Sequence, residues 1–423
     1  MKITTMAIAA AATVLLGCLP AVAQAPAAYE TEPVLKATDL VAAPLLKGPQ
    51  HTVSDRVPVQ GMLGRFAIKS EFGAFEAHGI HMLEVRVREI SALAELQKTS
   101  KTKQFLEASG NAAKRPVTSA ANIVMHPVDT AKGIPGGASR MWERAKLGGA
   151  AVAEAATGSG KTDKTDAEKM SDVTNRVGSI SVDVMGFEKE RRDIAKKVGV
   201  DPYTTNPVLA KKLTDMAWVA FSGRFTVQIA TSVVVPFSAA LSAVTITNTA
   251  VYDTPPGDLI NNAIAVFKET GADEAQVGAL VKNPQYSLSV LTATAAGVQR
   301  LKGVRGLPSL VSFAAAAKTE DEARFVAASV NMLARYHESV ERLAEVSAPG
   351  PILGRTAAGT LMVPAPVDYI AWTERMGRTA QREDLKAAKK IAWLSGRMSP
   401  RAKKEFAQRG WAVEESFTIA AER

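Results

Sequence analysis

His78 and His81 stand three residues apart in "EAHGIHMLE", with Glu71, Glu76 and Glu84 close by. Such a set suits metal ligation or histidine–carboxylate proton transfer if the side chains converge on one point. Gly79 interrupts the register, leaving His78 in a turn ahead of the helix that takes in His81, and no third histidine is near in sequence. The spacing therefore predicts a solvated strand-to-helix junction rather than a metal centre. Ser139 in "GGASRM" could act as a nucleophile with a distant histidine, although a Gly-Gly turn into a helix accounts for it without chemistry. His337 in "ARYHESVE" has Glu338 and Glu341 beside it, the spacing of a helix-surface salt bridge. No G-x-S-x-G elbow occurs. His78, His81, Ser139 and His337, with Glu71, form a hydrolytic site only if the fold gathers them.

Residues 155–162, "AATGSGKT", fit a loose phosphate-loop pattern around Lys161. A working phosphate loop needs a buried strand that delivers the glycine-rich turn into a helix N-terminus. The upstream "RAKLGGAAVAEA" has no β-branched run, and alternating charges and small polar residues follow. Residues 148–174 are thus expected to be a flexible linker, and no nucleotide is expected as a ligand. The turn "DPYTTNPVL" presents Tyr203 where it could line a ligand pocket, with capping as the simpler account.

The elements that would position these groups begin behind a leader. Lys2, the uncharged run Ile3–Leu19, Pro20 and the small residues Ala21–Ala23 form a secretory signal peptide, residues 1–23, so the chain is expected to be periplasmic or secreted. "LLGC" ending at Cys18 also resembles a lipobox, which keeps a lipid-anchored form as the minority expectation. Cys18 is the sole cysteine; ordinary cleavage would leave neither thiol chemistry nor disulfides, and no cofactor or metal is expected.

Residues 24–52 are Pro- and Ala-rich and predict an extended arm. Residues 53–147 predict short strands, then a helix with Leu83, Val87, Ile90, Leu93, Ala94 and Leu96 on one face. Residues 175–347 predict a helical bundle with starts written at Asn206-Pro207, Thr254-Pro255, Asn283-Pro284 and Thr319 with Glu322, its last helix running to 345. Phe225–Tyr252 lacks charge over 28 residues; it suits a buried pair of helices broken at Pro236, or alternatively insertion into a membrane. Residues 348–423 predict a hairpin, a basic helix from Glu374 to Lys390, and then strand, helix and strand. The expected class is mostly α: a central antiparallel helical bundle with small β-containing modules at both ends, α+β overall.

Charge is the other distinctive feature. The chain is +9, and between Glu374 and Arg409 eleven basic residues face four acidic ones. Lys386, Lys389, Lys390, Arg397, Arg401, Lys403 and Lys404 are the expected anion-binding set, with lipid head groups or lipopolysaccharide as partners. Nucleic acid is the poorer partner, because the module lacks a recognised binding motif. The sequence thus points to an exported binding or structural protein, with a hydrolase as the alternative.

Overall fold

The computed structural model describes residues 28–102, 104–107, 186–223 and 250–417. The leader, Cys18, Ser139, the "AATGSGKT" match, the linker and residues 225–249 lie outside the described residues. Within the described part the chain is a mixed α/β protein.

An antiparallel sheet forms the N-terminal layer from β1 (Val34–Lys36), β2 (His51–Val53), β3 (Arg56–Gln60), β4 (Leu63–Ser70) and β5 (Gly73–His78). Alternation dictates its faces: Phe66 and Ile68 of β4 point inward and are almost fully buried. Gln60 pairs with Leu63 across a two-residue turn in which Gly61 (φ 60°) and Met62 (φ 69°) are both left-handed, the turn that suits the natural twist of a hairpin. Two helical turns, α1 (Ala37–Leu40) and α2 (Ala43–Leu46), cover the sheet through Ala37 and Leu45. The segment expected to be a loose arm is therefore partly structured, because its apolar residues find the sheet.

Helix α3 (Ile80–Ser100) follows and serves two cores. Met82, Leu83, Val87 and Ile90 pack on the N-terminal sheet. Leu93 and Leu96 pack against α4 (186–198) and α5 (Pro207–Gly223). Each such side chain contributes about 1.5–3 kcal/mol by leaving water. Next come α6 (Ala250–Asp253), α7 (Pro256–Glu269), α8 (Glu274–Lys282), α9 (Leu288–Arg300), α10 (Leu307–Ala315) and α11 (Glu320–Ser339). Their apolar faces share one cluster centred on Leu291, Leu333 and Tyr336.

The C-terminal sheet runs in the order β12-β10-β8-β7-β6, from β6 (Leu343–Ser347), β7 (Leu353–Thr356), β8 (Leu361–Ala365), β10 (Lys390–Leu394) and β12 (Trp411–Glu414). β6, β7 and β8 form antiparallel pairs, whereas β10 runs parallel to both β8 and β12. The chain returns between these parallel strands through α12 (Glu374–Thr379) and α13 (Pro400–Gln408), with a parallel pair β9 (Tyr369–Ile370) and β11 (Arg397–Met398) alongside. Trp393 joins this sheet to the helices by an edge contact with Tyr336 at 5.3 Å.

Several expected boundaries move for physical reasons. The last long helix stops at Ser339 because Nδ1 of His337 accepts the Leu343 N–H at 3.0 Å and turns the chain into β6. The expected helix Glu374–Lys390 ends at Thr379; beyond it Arg382 folds onto Asp384 and the Pro349 carbonyl. α9 starts at Leu288 with Ser287 as its cap, while Asn283 ties the Ala315 and Ala317 carbonyls.

The first described residues are stitched to the C-terminal module. The Glu30 carboxylate accepts from the Trp372 N–H at 2.6 Å and the Ser399 hydroxyl at 2.5 Å, and Arg401 donates to the Ala28 carbonyl. Among the described residues no helix is long and apolar enough to cross a membrane.

Candidate functional site

On α3, His81, Val85, Arg88 and Glu89 recur at i, i+4, i+7 and i+8, which places them on one stripe. Val85 also packs on the N-terminal core, and the stripe lines a cavity of about 70 Å³. The opposite wall comes from Val200, Asp201 and Thr204 between α4 and α5, Tyr252 of α6, Ser289 in the first turn of α9, and Arg324 of α11. The volume suits a handful of waters or one small ion.

A polar network fixes one side of the cleft. Buried Glu89 accepts from Arg86 at 2.6 Å, Asn206 at 3.0 Å and the Thr204 hydroxyl. Asn206 caps α5 through its Oδ1, so the same side chain starts a helix and orients the carboxylate. Thr205 and Arg324 donate to Glu320, at 2.9 and 2.7 Å. Burial raises the Glu320 pKa, but Arg324, Thr205 and Arg86 outweigh it and hold the group below the usual carboxylate range. Asp201 accepts from Ser289 Oγ at 2.5 Å and the Tyr203 N–H at 2.7 Å; burial nevertheless pushes its pKa up.

The other side is not satisfied from within. His81 Nδ1 is enclosed and has no hydrogen-bond partner. Burial, then the Arg324 and Arg88 guanidiniums, push its pKa down to about 3, so the ring is neutral near pH 7. A neutral imidazole offers one N–H and one lone pair, and whichever sits at Nδ1 has no partner among the described residues. Arg88 forms no hydrogen bond or ion pair with any described residue. An unpaired guanidinium beside an uncharged imidazole can hold a small anion bidentately. It makes a poor proton-transfer site, because an imidazole with so low a pKa is far from the optimum for a general base at neutral pH.

The sequence-derived candidates separate. His78 is half-exposed and pairs with Asp321 at 2.7 Å, away from the cleft lining; its Nε2 lies 3.9 Å from Glu76. Glu71 is exposed in the turn between β4 and β5. His337 is buried rather than on a helix surface: Arg342 lies 2.8 Å from Nε2, and burial followed by Arg342 lowers its pKa. Glu338, expected beside it as a salt bridge, is held by Arg300 instead. The "DPYTTNPVL" turn does line the cavity, through Asp201 and Thr204 rather than Tyr203. Among the described residues no group of three metal-capable side chains assembles. Arg88, Glu89, Asp201, Ser289 and Arg324 were missed by motif reading; the i, i+4, i+7, i+8 stripe could have pointed to Arg88 and Glu89 alone.

The seven C-terminal cations occupy several surroundings. Lys386 pairs with Glu383 and Lys403 with Glu415. Lys390 lies over the Trp411 ring, Arg397 donates to the Asp39 carbonyl and Arg401 to that of Ala28. Lys389 and Lys404 are exposed. In comparisons with known proteins, the chain matches no family model, no curated protein and no solved structure.

Proposed function

We propose that this chain is an exported binding protein that takes a small anion, of the phosphate or carboxylate type, into the cleft between α3 and the helices that follow. One observation carries the reading: Arg88, without a partner among the described residues, faces a cavity beside an enclosed His81 nitrogen that also lacks one. Arg88 would supply the charge, Arg324 a second positive field, and His81 or Ser289 a directional hydrogen bond. The protein works by binding, with no resident cofactor. Its export rests on the leader at residues 1–23; sequencing the mature N-terminus distinguishes cleavage after Ala23 from lipidation at Cys18. The cleft floor is best understood as part of a central antiparallel bundle, in which α7 packs on α8 and α9, and α9 on α11.

Titration of purified protein with inorganic phosphate and with acetate tests the cleft. Saturable binding that raises the thermal midpoint, and that R88A weakens, is expected. Identical titrations for wild type and R88A, or no saturation by either anion, would defeat the reading.

The basic module gives a second contact. Lys389 and Lys404 project into solvent and would meet anionic lipid head groups or lipopolysaccharide through a salt-sensitive field. The hydrolase alternative keeps one supporting observation, the 2.7 Å His78–Asp321 pair, which has the form of a base held by its orienting carboxylate.

A further inference from the structure

Helix α3 carries His81, Arg88 and Glu89, so whatever fixes its first turn fixes one wall of the cleft. Its own sequence does not do so: the residue before Ile80 is Gly79, which offers no side-chain oxygen to the first orphan N–H groups. Gly79 sits at φ 92°, ψ 156°, a conformation reserved for glycine, so a local Ser or Asp cap is barred there.

The missing acceptor arrives from the C-terminal module. Asp368, between β8 and β9, places its carboxylate 3.1–3.2 Å from the Ile80 N–H and 2.8 Å from that of Gly64. The contact runs in both directions, because the Asp368 and Tyr369 N–H groups donate to the Met62 carbonyl at 3.0 and 3.1 Å. Behind it the Arg397 N–H holds the Asp368 carbonyl at 2.9 Å. A Cβ on Gly396 would lie 1.9 Å from that carbonyl oxygen, so the backbones meet there only because position 396 is glycine. Asp368 is buried, and every one of these contacts crosses more than 280 residues of sequence or closes the loop that presents it. A charged carboxylate at a helix N-terminus is stabilised by both the N–H groups and the helix dipole.

We infer that Asp368 is a positioning residue for the cleft: through it the C-terminal module caps α3 in trans and sets the placement of His81 and Arg88. This rests on the cleft being a binding site, but the capping itself can be tested apart from any ligand. Amide hydrogen exchange separates the two. In D368A the amides of Ile80–Leu83 are expected to exchange at least tenfold faster, while those of α9 and α11 keep their rates. D368N, which retains an acceptor oxygen, should recover most of the protection. Unchanged exchange at Ile80–Leu83, or equal acceleration in every element of D368A, overturns the capping.

Titration with inorganic phosphate then reads the consequence. D368A should bind phosphate at least threefold more weakly than wild type, and D368N should lie between them. Equal affinity for wild type and D368A, where exchange has shown α3 loosened, overturns the positioning role. No phosphate binding by wild type removes both the cleft reading and this consequence, and leaves the exchange data to judge the cap alone.

Discussion

The cleft beside α3 and the basic C-terminal module both collect charged side chains, yet they use them in opposite ways. In the module, Lys386, Lys403, Arg397 and Arg401 meet acids or carbonyls that already belong to the fold. In the cleft, Arg88, whose charge acts on His81 and Glu84, and the His81 Nδ1 form no hydrogen bond with any described residue. A charge count along a sequence measures how much charge is available. An enclosed polar atom without a partner measures how much of it is still waiting for one, and is the better pointer to a ligand.

If that contrast is right, substitutions in the module cost stability, and substitutions in the cleft cost binding. The largest effect belongs to G396A, where the new methyl would occupy the Asp368 carbonyl. We expect a loss of about 3 kcal/mol or more, read from the urea midpoint, or failure to obtain folded protein. A midpoint within error of wild type would break the comparison on the module side.

Next is the acid dependence of stability. Burial pushes Glu84 up to about 7 and Asp368 up to about 6, from ordinary values of 4.5 and 3.8. Both groups hold protons in the folded state that the unfolded chain has already released. The stability these two groups contribute is therefore fully present below about pH 4 and lost as pH rises to about 7, while the lowered pKa values of His81, His51 and His337 act in the opposite direction. E84Q isolates the Glu84 contribution: it should be more stable than wild type by about 1–3 kcal/mol at pH 8, with little difference at pH 4.5. Urea melts at the two pH values check the sign.

A smaller and sharper test sets R88A against K404E. R88A should weaken phosphate binding about tenfold, roughly 1.4 kcal/mol, with an unfolding midpoint equal to or above wild type. K404E should leave both unchanged. The smallest effect is expected for K389E/K404E on binding to vesicles rich in anionic lipid: about threefold weaker, and abolished for both proteins by about 0.5 M salt.

Much of the local architecture was legible. Ser399 caps α13 through the Ala402 N–H, Thr319 caps α11, and Asn206 caps α5, each where a polar residue stands before a helical pattern. The six apolar positions assigned to one face of α3 are all buried. In the expected box at Thr319, Glu322 reaches back to the Lys318 N–H instead of closing on the cap, a shift of one residue that no pattern encodes. The parallel pairing of β10 with β8 and β12 was not legible, because a strand's sequence records its burial but not its neighbour's direction. The site escaped motif reading for a related reason. His81, Asp201, Ser289 and Arg324 come from four separate segments, and a spacing rule sees only residues within one.

The Glu30 carboxylate, held by the Trp372 N–H and the Ser399 hydroxyl, has a kinetic meaning. Glu30 cannot reach these partners until the more than 340 residues that separate them have been made. Long-range closure of this kind slows folding. A chain so constructed stays open for longer, because so long a tie is among the last to close.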